Sequence, residues 1–159
     1  GGERYVPNYI ENRLKFSPYI KDAAVIGAGR DQLTAMLCVD AEAVGHWAEI
    51  NGVPYVSYAD LSQRPEVAEL LNEAFARVNK ALHEPLQLHR YVSLHKEFDP
   101  DDGEITRTRK LRRKVVEERY SGVIDALYDG SEQVHVQAIV TYENGEKGVV
   151  ERTLAVREV

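Results

Sequence analysis

Asp102-Gly103-Glu104-Ile105-Thr106-Arg107-Thr108-Arg109-Lys110-Leu111-Arg112-Arg113-Lys114 is the stretch at which one kind of patterning gives way to another. Its first residues end a turn-rich acidic run, Asp99-Pro100-Asp101-Asp102-Gly103-Glu104, of the type that connects elements rather than builds them. Its last residues open an apolar series, Leu111, Val115 and Val116, that predicts a helix continuing to Tyr128 with a break at Ser121-Gly122. Before the acidic run, Leu86, Leu88, Val92 and Leu94 suggest a strand. The stretch is therefore a charged loop between a strand and a helix, and the rest of the chain has to supply the sheet around it.

Reading back toward the N-terminus, Val67, Leu70, Leu71, Ala74, Val78 and Leu82 form one apolar stripe, which predicts a helix over 62–83 stopped by Pro85. Residues 41–61 carry a weaker pattern, read as a helix around Trp47 and a connection at Gly52 and Pro54. Ala23-Ala24-Val25-Ile26 makes a short strand, and the turn Gly27-Ala28-Gly29 leads to a second in which Leu33, Ala35, Leu37 and Val39 alternate, as in an antiparallel hairpin. Pro7 suits the first turn of a helix whose apolar residues are Val6, Tyr9, Ile10 and Leu14, and Ser17-Pro18 ends it. Beyond Gly130, Val134, Val136, Ala138 and Val140 alternate before Asn144-Gly145, and Val150, Leu154 and Val156 follow it, which predicts a second hairpin. The fold class is α+β: a small sheet with helices packed on it, plus a C-terminal β-hairpin. The expected division is a domain over 1–129 and a hairpin extension over 130–159.

At 159 residues, 43% hydrophobic and 29% charged, the chain can bury one core and gives no reason to invoke disorder. A net charge of -6 argues against a dedicated nucleic-acid binder. Cys38 stands alone, so neither an internal disulfide nor a cysteine metal site can form, and a reducing, cytoplasmic setting is expected. No apolar run approaches the roughly 20 residues of a membrane span, which leaves peripheral membrane contact open. The opening Gly1-Gly2-Glu3, without an initiator Met, leads us to expect a fragment or a processed chain. His46, His83, His89, His95 and His135 are scattered without metal-ligand spacing, and Asp99, Asp101, Asp102 and Glu104 lack a full calcium-loop pattern and read as turn formers. Trp47 and the nine tyrosines read as core and rim residues, with Tyr5 and Tyr9 candidates for an interdomain surface. Neither a Gly-rich phosphate loop nor a nucleophile elbow is present, so no self-sufficient active site is expected.

Two motifs resemble the C-terminal domain of the adenylate-forming superfamily, which includes acyl-CoA synthetases, peptide-synthetase adenylation domains and luciferases. Gly1-Gly2-Glu3-Arg4-Tyr5-Val6-Pro7-Asn8-Tyr9-Ile10-Glu11 resembles the segment just after that superfamily's interdomain hinge. The stretch 102–113 resembles the loop bearing its adenylation lysine, and its Gly-Glu-Ile-Thr-x-Thr-x-Lys-x-x-Arg form, followed by Tyr120, is similar to long-chain fatty acyl-CoA synthetases. Other branches place Gly directly before the lysine, where this chain has Arg109. The resemblance covers residues 1 to 128. It implies that Lys110 is the catalytic residue for acyl-AMP formation, and that the domain is a lid on an N-terminal catalytic core. The core would hold most of the ATP, CoA and Mg2+ sites and the fatty acid or other carboxylic acid, and an acyl-carrier-protein acceptor stays open beside CoA. It further implies that the lid rotates after adenylation, withdrawing Lys110 and bringing Gly1, Gly2 and Glu3 to the pantetheine path. Arg112 and Arg113 are candidates for holding the CoA or ATP phosphates, with a helix-surface role as the plainer reading.

The chemistry needs a cation at this place whatever the family. Joining a carboxylate to the α-phosphate of ATP brings two anions together and spreads charge over the phosphoryl oxygens as pyrophosphate leaves. An ammonium with a reference pKa of about 10.4 supplies that charge. One preorganised contact of this kind is worth a factor of roughly 100 to 1000 in rate. Glycine at the pantetheine path would let another chain approach closely. The competing reading is a non-catalytic α+β module that uses the basic run on RNA or another polyanion, since six cations stand in 107–114 with no acid between them.

Overall fold

Pro7 has no backbone N–H to leave unpaired, and it opens α1 (Pro7–Leu14), from which Ile10 and Leu14 reach the core. These positions come from the computed structural model of the protein, which describes residues 6–159. Val6 and Tyr9, expected on the apolar face of α1, are 65% and 50% exposed. Two turns of helix cover the sheet along one narrow stripe, and Tyr9 lies outside it, where its hydroxyl accepts a hydrogen bond from Arg13 Nη2 at 2.9 Å.

The expected antiparallel pair forms from β1 (Ile20–Ile26) and β2 (Leu33–Val39), with a register shift between Ile20 and Asp22. The chain then passes through α2 (Ala41–Ile50), α3 (Tyr58–Gln63) and α4 (Pro65–Lys80) before β3 (Leu88–Ser93) pairs with β2 in parallel. A parallel neighbour requires such a crossover. Asp40 and Ser57 start α2 and α3 by accepting the N–H groups of Ala43 at 2.9 Å and Asp60 at 3.1 Å.

The helix expected over 62–83 is two elements, because Arg64 between them is extended with φ -61° and ψ 133°. A proline pushes the residue before it out of the helical region while serving as a good first helical residue itself, so Pro65 both ends α3 and begins α4. At the other end the helix stops at Lys80, short of Pro85.

Two layers cover the sheet, whose order is β1-β2-β3-β6 with β6 (Arg157–Glu158) antiparallel to β3. On one face Ala23, Val25, Leu37 and Tyr91 meet α1, α2 and α4. On the other Ala24, Ile26, Met36 and Val92 meet α5 (Arg113–Arg119) and α6 (Ser121–Tyr128). Every residue of β2 is buried, since both of its faces are covered. The break expected at Ser121-Gly122 falls at Tyr120, between α5 and α6.

The C-terminal hairpin consists of β4 (Gln133–Thr141) and β5 (Lys147–Ala155). Its loop has three residues between Tyr142 and Glu146, and Gly145 alone takes the left-handed conformation, φ 83°, that closes it. Leu154 of β5 is fully buried in the second core.

Candidate functional site

Lys110 lies in a narrow loop whose two sides are tied together rung by rung. The Arg112 N–H donates to the Glu104 carbonyl at 2.9 Å, Ile105 bridges Leu111, and the Thr106 N–H donates to the Lys110 carbonyl at 2.9 Å. At the tip the Arg109 N–H reaches the Thr106 carbonyl at 2.9 Å, and the Lys110 N–H reaches Thr106 Oγ1 at 3.0 Å. The backbone of Lys110 is thereby joined to the Thr106 side of the loop, one residue past the turn, with its side chain exposed.

Three buried carboxylates hold this loop to the body. The first is Glu104, expected to be a turn former and found instead with its side chain fully buried. Its neighbours Asp99, Asp101 and Gly103 do form turns: Asp99 Oδ1 accepts the Asp101 N–H at 2.8 Å, and Gly103 adopts φ 77°. Glu104 points inward because donors converge there: the Tyr120 hydroxyl at 2.5 Å, the Asp99 N–H at 3.1 Å, the Lys96 ammonium, and Arg119 Nη1 at 3.4 Å. Burial pushes its carboxyl up, but the hydrogen bonds from Lys96 and Tyr120 outweigh that and hold it below the ordinary glutamate range.

The second anchor is Asp22 on β1, which forms an ion pair with Arg109 Nη2 and has Lys15 Nζ at 3.9 Å. Burial, the largest influence on Asp22, outweighs these cations and leaves its carboxyl above the usual range. Arg109 is the only non-glycine residue with positive φ among the described residues, at 64°. That conformation costs a residue with a Cβ about 1 kcal/mol, which gives a physical sense to the glycine that other branches of the resembling family carry before the lysine. The third anchor is Glu11, which accepts two hydrogen bonds from Arg113 Nη2, at 2.8 and 2.9 Å, and one from the Val25 N–H at 2.7 Å.

The six cations of 107–114 thus divide by environment. Arg109 and Arg113 are engaged by buried acids, whereas Arg107, Lys110, Arg112 and Lys114 are exposed and make no ion pair among the described residues. Gly1, Gly2 and Glu3, expected at the pantetheine path, lie outside the described residues, as does Tyr5. The charged partners Asp22, Lys96 and Glu11 had no signal as partners in the sequence: Asp22 and Glu11 meet the loop from distant elements, and Lys96 from the irregular segment that follows β3. Tyr120 could be placed by its position after the motif, though its bond to Glu104 could not.

A groove of about 940 Å³ between α3, α6 and the hairpin is lined by Lys96, Glu104 and Tyr120 but not by Lys110. Among the described residues no group of three or more His, Cys, Asp or Glu is placed to hold a metal ion, and no helix is long and apolar enough to cross a membrane.

The model of the AMP-binding enzyme C-terminal domain matches residues 1–132. The chain is similar to the long-chain-fatty-acid–CoA ligase FadD15 of Mycobacterium tuberculosis, with 30% identity over 130 residues covering 81% of this chain and 22% of that protein. It is similar to the human long-chain-fatty-acid–CoA ligase ACSBG1, with 27% identity over 146 residues covering 80% of this chain and 20% of that one. The chain therefore spans about a fifth of the length of these curated relatives. Its fold matches the adenylation–PCP didomain of a carboxylic acid reductase from Segniliparus rugosus, solved with AMP, at a TM-score of 0.61 and 18% identity over 81% of this chain and 16% of that one.

Proposed function

The chain belongs to the AMP-binding enzyme C-terminal domain family, and from that premise we propose that it is the mobile lid of an AMP-forming fatty acyl-CoA synthetase, with Lys110 as its catalytic residue. The observation that carries this reading is the fate of the basic run. Its two best-anchored guanidinium groups are spent on buried acids, and the loop they anchor presents Lys110 to solvent with its ammonium unpaired. A cation on a fixed backbone, unneutralised by its own domain, is suited to meet charge that develops elsewhere.

In this reading the lid closes on an N-terminal core that binds ATP, Mg2+ and the fatty acid. Lys110 sits against the phosphoryl oxygens while the carboxylate attacks, and acyl-AMP and pyrophosphate form. The lid then turns, Lys110 leaves, and Gly1, Gly2 and Glu3 border the path by which the CoA thiol reaches the acyl-adenylate. The metal is assigned to the core, where it would offset phosphate charge. Arg112, exposed beside the loop, is the better placed of the two arginines for a CoA or ATP phosphate, because Arg113 is committed to Glu11. We place the reaction in the cytoplasm.

The polyanion-binding reading is weaker by the same observation, since pairing Arg109 and Arg113 with acids removes two of the charges it needs.

The test uses the full polypeptide carrying this domain. Lys110→Ala is expected to slow acyl-AMP formation by roughly 100-fold or more. Given presynthesised acyl-adenylate and CoA, the same variant is expected to form thioester at close to the wild-type rate. Unchanged rates in both half-reactions would remove Lys110 as the catalytic residue and with it the main support for the ligase reading.

A further inference from the structure

The lysine loop is fixed at both feet, by Glu104 on one side and Arg113 on the other, but the tip that carries Lys110 is a separate problem. Between Thr106 and Lys110 the backbone makes a tight turn, and exposed turns of this kind fluctuate unless a side chain ties them down. Among the described residues a single side chain leaves the tip for the body: that of Arg109, immediately before the lysine, which crosses to Asp22 on β1.

Asp22 is suited to hold it. Alternation along β1 puts Asp22 on the same face of the sheet as Ala24 and Ile26, the face from which the loop emerges. Its side chain is 6% exposed, so the carboxylate has lost most of its water and requires a partner. Lys21, on the strand itself, pairs with Glu97 at 2.9 Å, and Lys15, just after α1, stands off from Asp22 at 3.9 Å, so neither is its close partner. Arg109 is drawn in, and its left-handed backbone sets where the following residue, Lys110, begins.

We infer that Asp22 is a positioning residue for Lys110, acting through Arg109 to fix the tip of the loop at the place from which the ammonium reaches the reacting phosphate. This rests on the reading of Lys110 as the adenylation lysine. In this chain the strained arginine replaces conformational freedom with a tether. Glycine at the same place would ease the backbone and leave the tip loose. A displacement of about 1 Å of a charged group from the reacting centre is enough to cost on the order of 100-fold in rate, so a tether acting only on the tip has a measurable consequence.

The experiment compares Asp22→Asn, Arg109→Gly, the double variant and Lys110→Ala in the full polypeptide. Arg109→Gly permits the left-handed backbone and removes only the guanidinium, so the loop can still close. Each single variant is expected to slow acyl-AMP formation by roughly 10- to 100-fold. Thioester formation from presynthesised acyl-adenylate should stay within about twofold, and the double variant should be no slower than the worse single one, as for residues acting in series. Amide exchange at 106–110 should quicken in both singles while β1, β2 and β3 stay protected. The inference is overturned if Lys110→Ala loses adenylation while Asp22→Asn and Arg109→Gly keep wild-type rates. It is equally overturned if either variant loses both half-reactions alike, since that marks a folding defect. A silent Lys110→Ala would instead defeat the reading of Lys110 as the adenylation lysine on which the inference rests.

Discussion

Glu11 and Arg113, 102 residues apart in sequence, are joined by two hydrogen bonds of 2.8 and 2.9 Å from one guanidinium nitrogen. The same arginine donates through Nη1 to the Val25 carbonyl at 3.2 Å, while the Val25 N–H donates to Glu11 at 2.7 Å. One carboxylate, one guanidinium and one strand residue therefore lock α1, β1 and the start of α5 together. The two sequence motifs that resemble the adenylate-forming family are thus two halves of a single joint, and the lysine loop hangs from it.

That joint should matter more when the arginine is removed than when the acid is neutralised. Arg113→Ala leaves a carboxylate that is 6% exposed with only the Val25 N–H to offset it, a change expected to cost about 3 kcal/mol. Glu11→Gln keeps an acceptor for Val25 and strands a guanidinium that is 31% exposed and can reach water, so it should cost less. Urea unfolding followed by Trp47 fluorescence measures both. A smaller loss for Arg113→Ala than for Glu11→Gln would contradict the account.

Glu104 should make stability sensitive to acid. Its carboxyl lies below the ordinary range in the fold, so the native state holds that proton less tightly than the unfolded chain does. The contribution is then fully present above the unfolded value of about 4.3 and is lost as pH falls through the folded value. Asp22, raised by burial, works in the opposite sense: its ionised form costs the fold stability, and acid relieves that cost. Glu104→Gln is expected to be less stable at pH 7 by about 3 kcal/mol and to lose less on going below pH 4.3. Asp22→Asn should give a steeper acid limb than wild type. Thermal melts across this range decide it, and parallel curves for wild type and Glu104→Gln would sink the assignment.

The local elements were legible because local chemistry makes them. Pro7 marks the start of α1, and the alternation through Leu33 and Leu37 and the stripe on α4 each state a period that the structure follows. The split at Arg64 was visible in Pro65 and was overridden by the apolar periodicity on either side. The parallel partnership of β2 with β3 was not legible, because nothing in either strand names its neighbour. The loop shows the same limit: Lys110 could be found from its motif, whereas Glu104 looked like another acid in a turn. Its burial depends on Lys96 and Tyr120 arriving from two other segments.

Cys38 gives a probe of the central strand. It is wholly buried on β2, and burial pushes its thiol above the ordinary cysteine value, so both access and thiolate are withheld. Reaction with an aromatic disulfide reagent is expected only through opening of the sheet. The labelling rate should rise with urea in step with global unfolding. Rapid labelling in native buffer would mean that β2 is not the covered strand described here.

The C-terminal hairpin poses the question of whether the domain ends before it or needs it. The family model stops at residue 132, yet the chain beyond returns to the sheet at several points. The Ala155 N–H donates to Gln63 Oε1 at 2.9 Å, β6 completes the edge of β3, and the Val159 N–H donates to the His89 carbonyl at 3.0 Å. Leu154, with no exposed surface, fills the second core beside the elements that carry Glu104 and Tyr120. Leu154→Ala should therefore cost about 3 kcal/mol through lost burial and the cavity left behind. Val149→Ala on the same strand, at a position 64% exposed, should stay within about 0.5 kcal/mol. A chain ending at Glu132 would lose Leu154 and leave the edge of β3 unpaired, and it is expected to unfold at lower urea and to associate through that edge. If hairpin and body form one cooperative unit, Leu154→Ala shifts the single unfolding transition of the whole chain. If the truncated chain instead matches the stability of the intact one, residues 130–159 are an appendage, and the contacts at Gln63 and His89 contribute nothing to the fold.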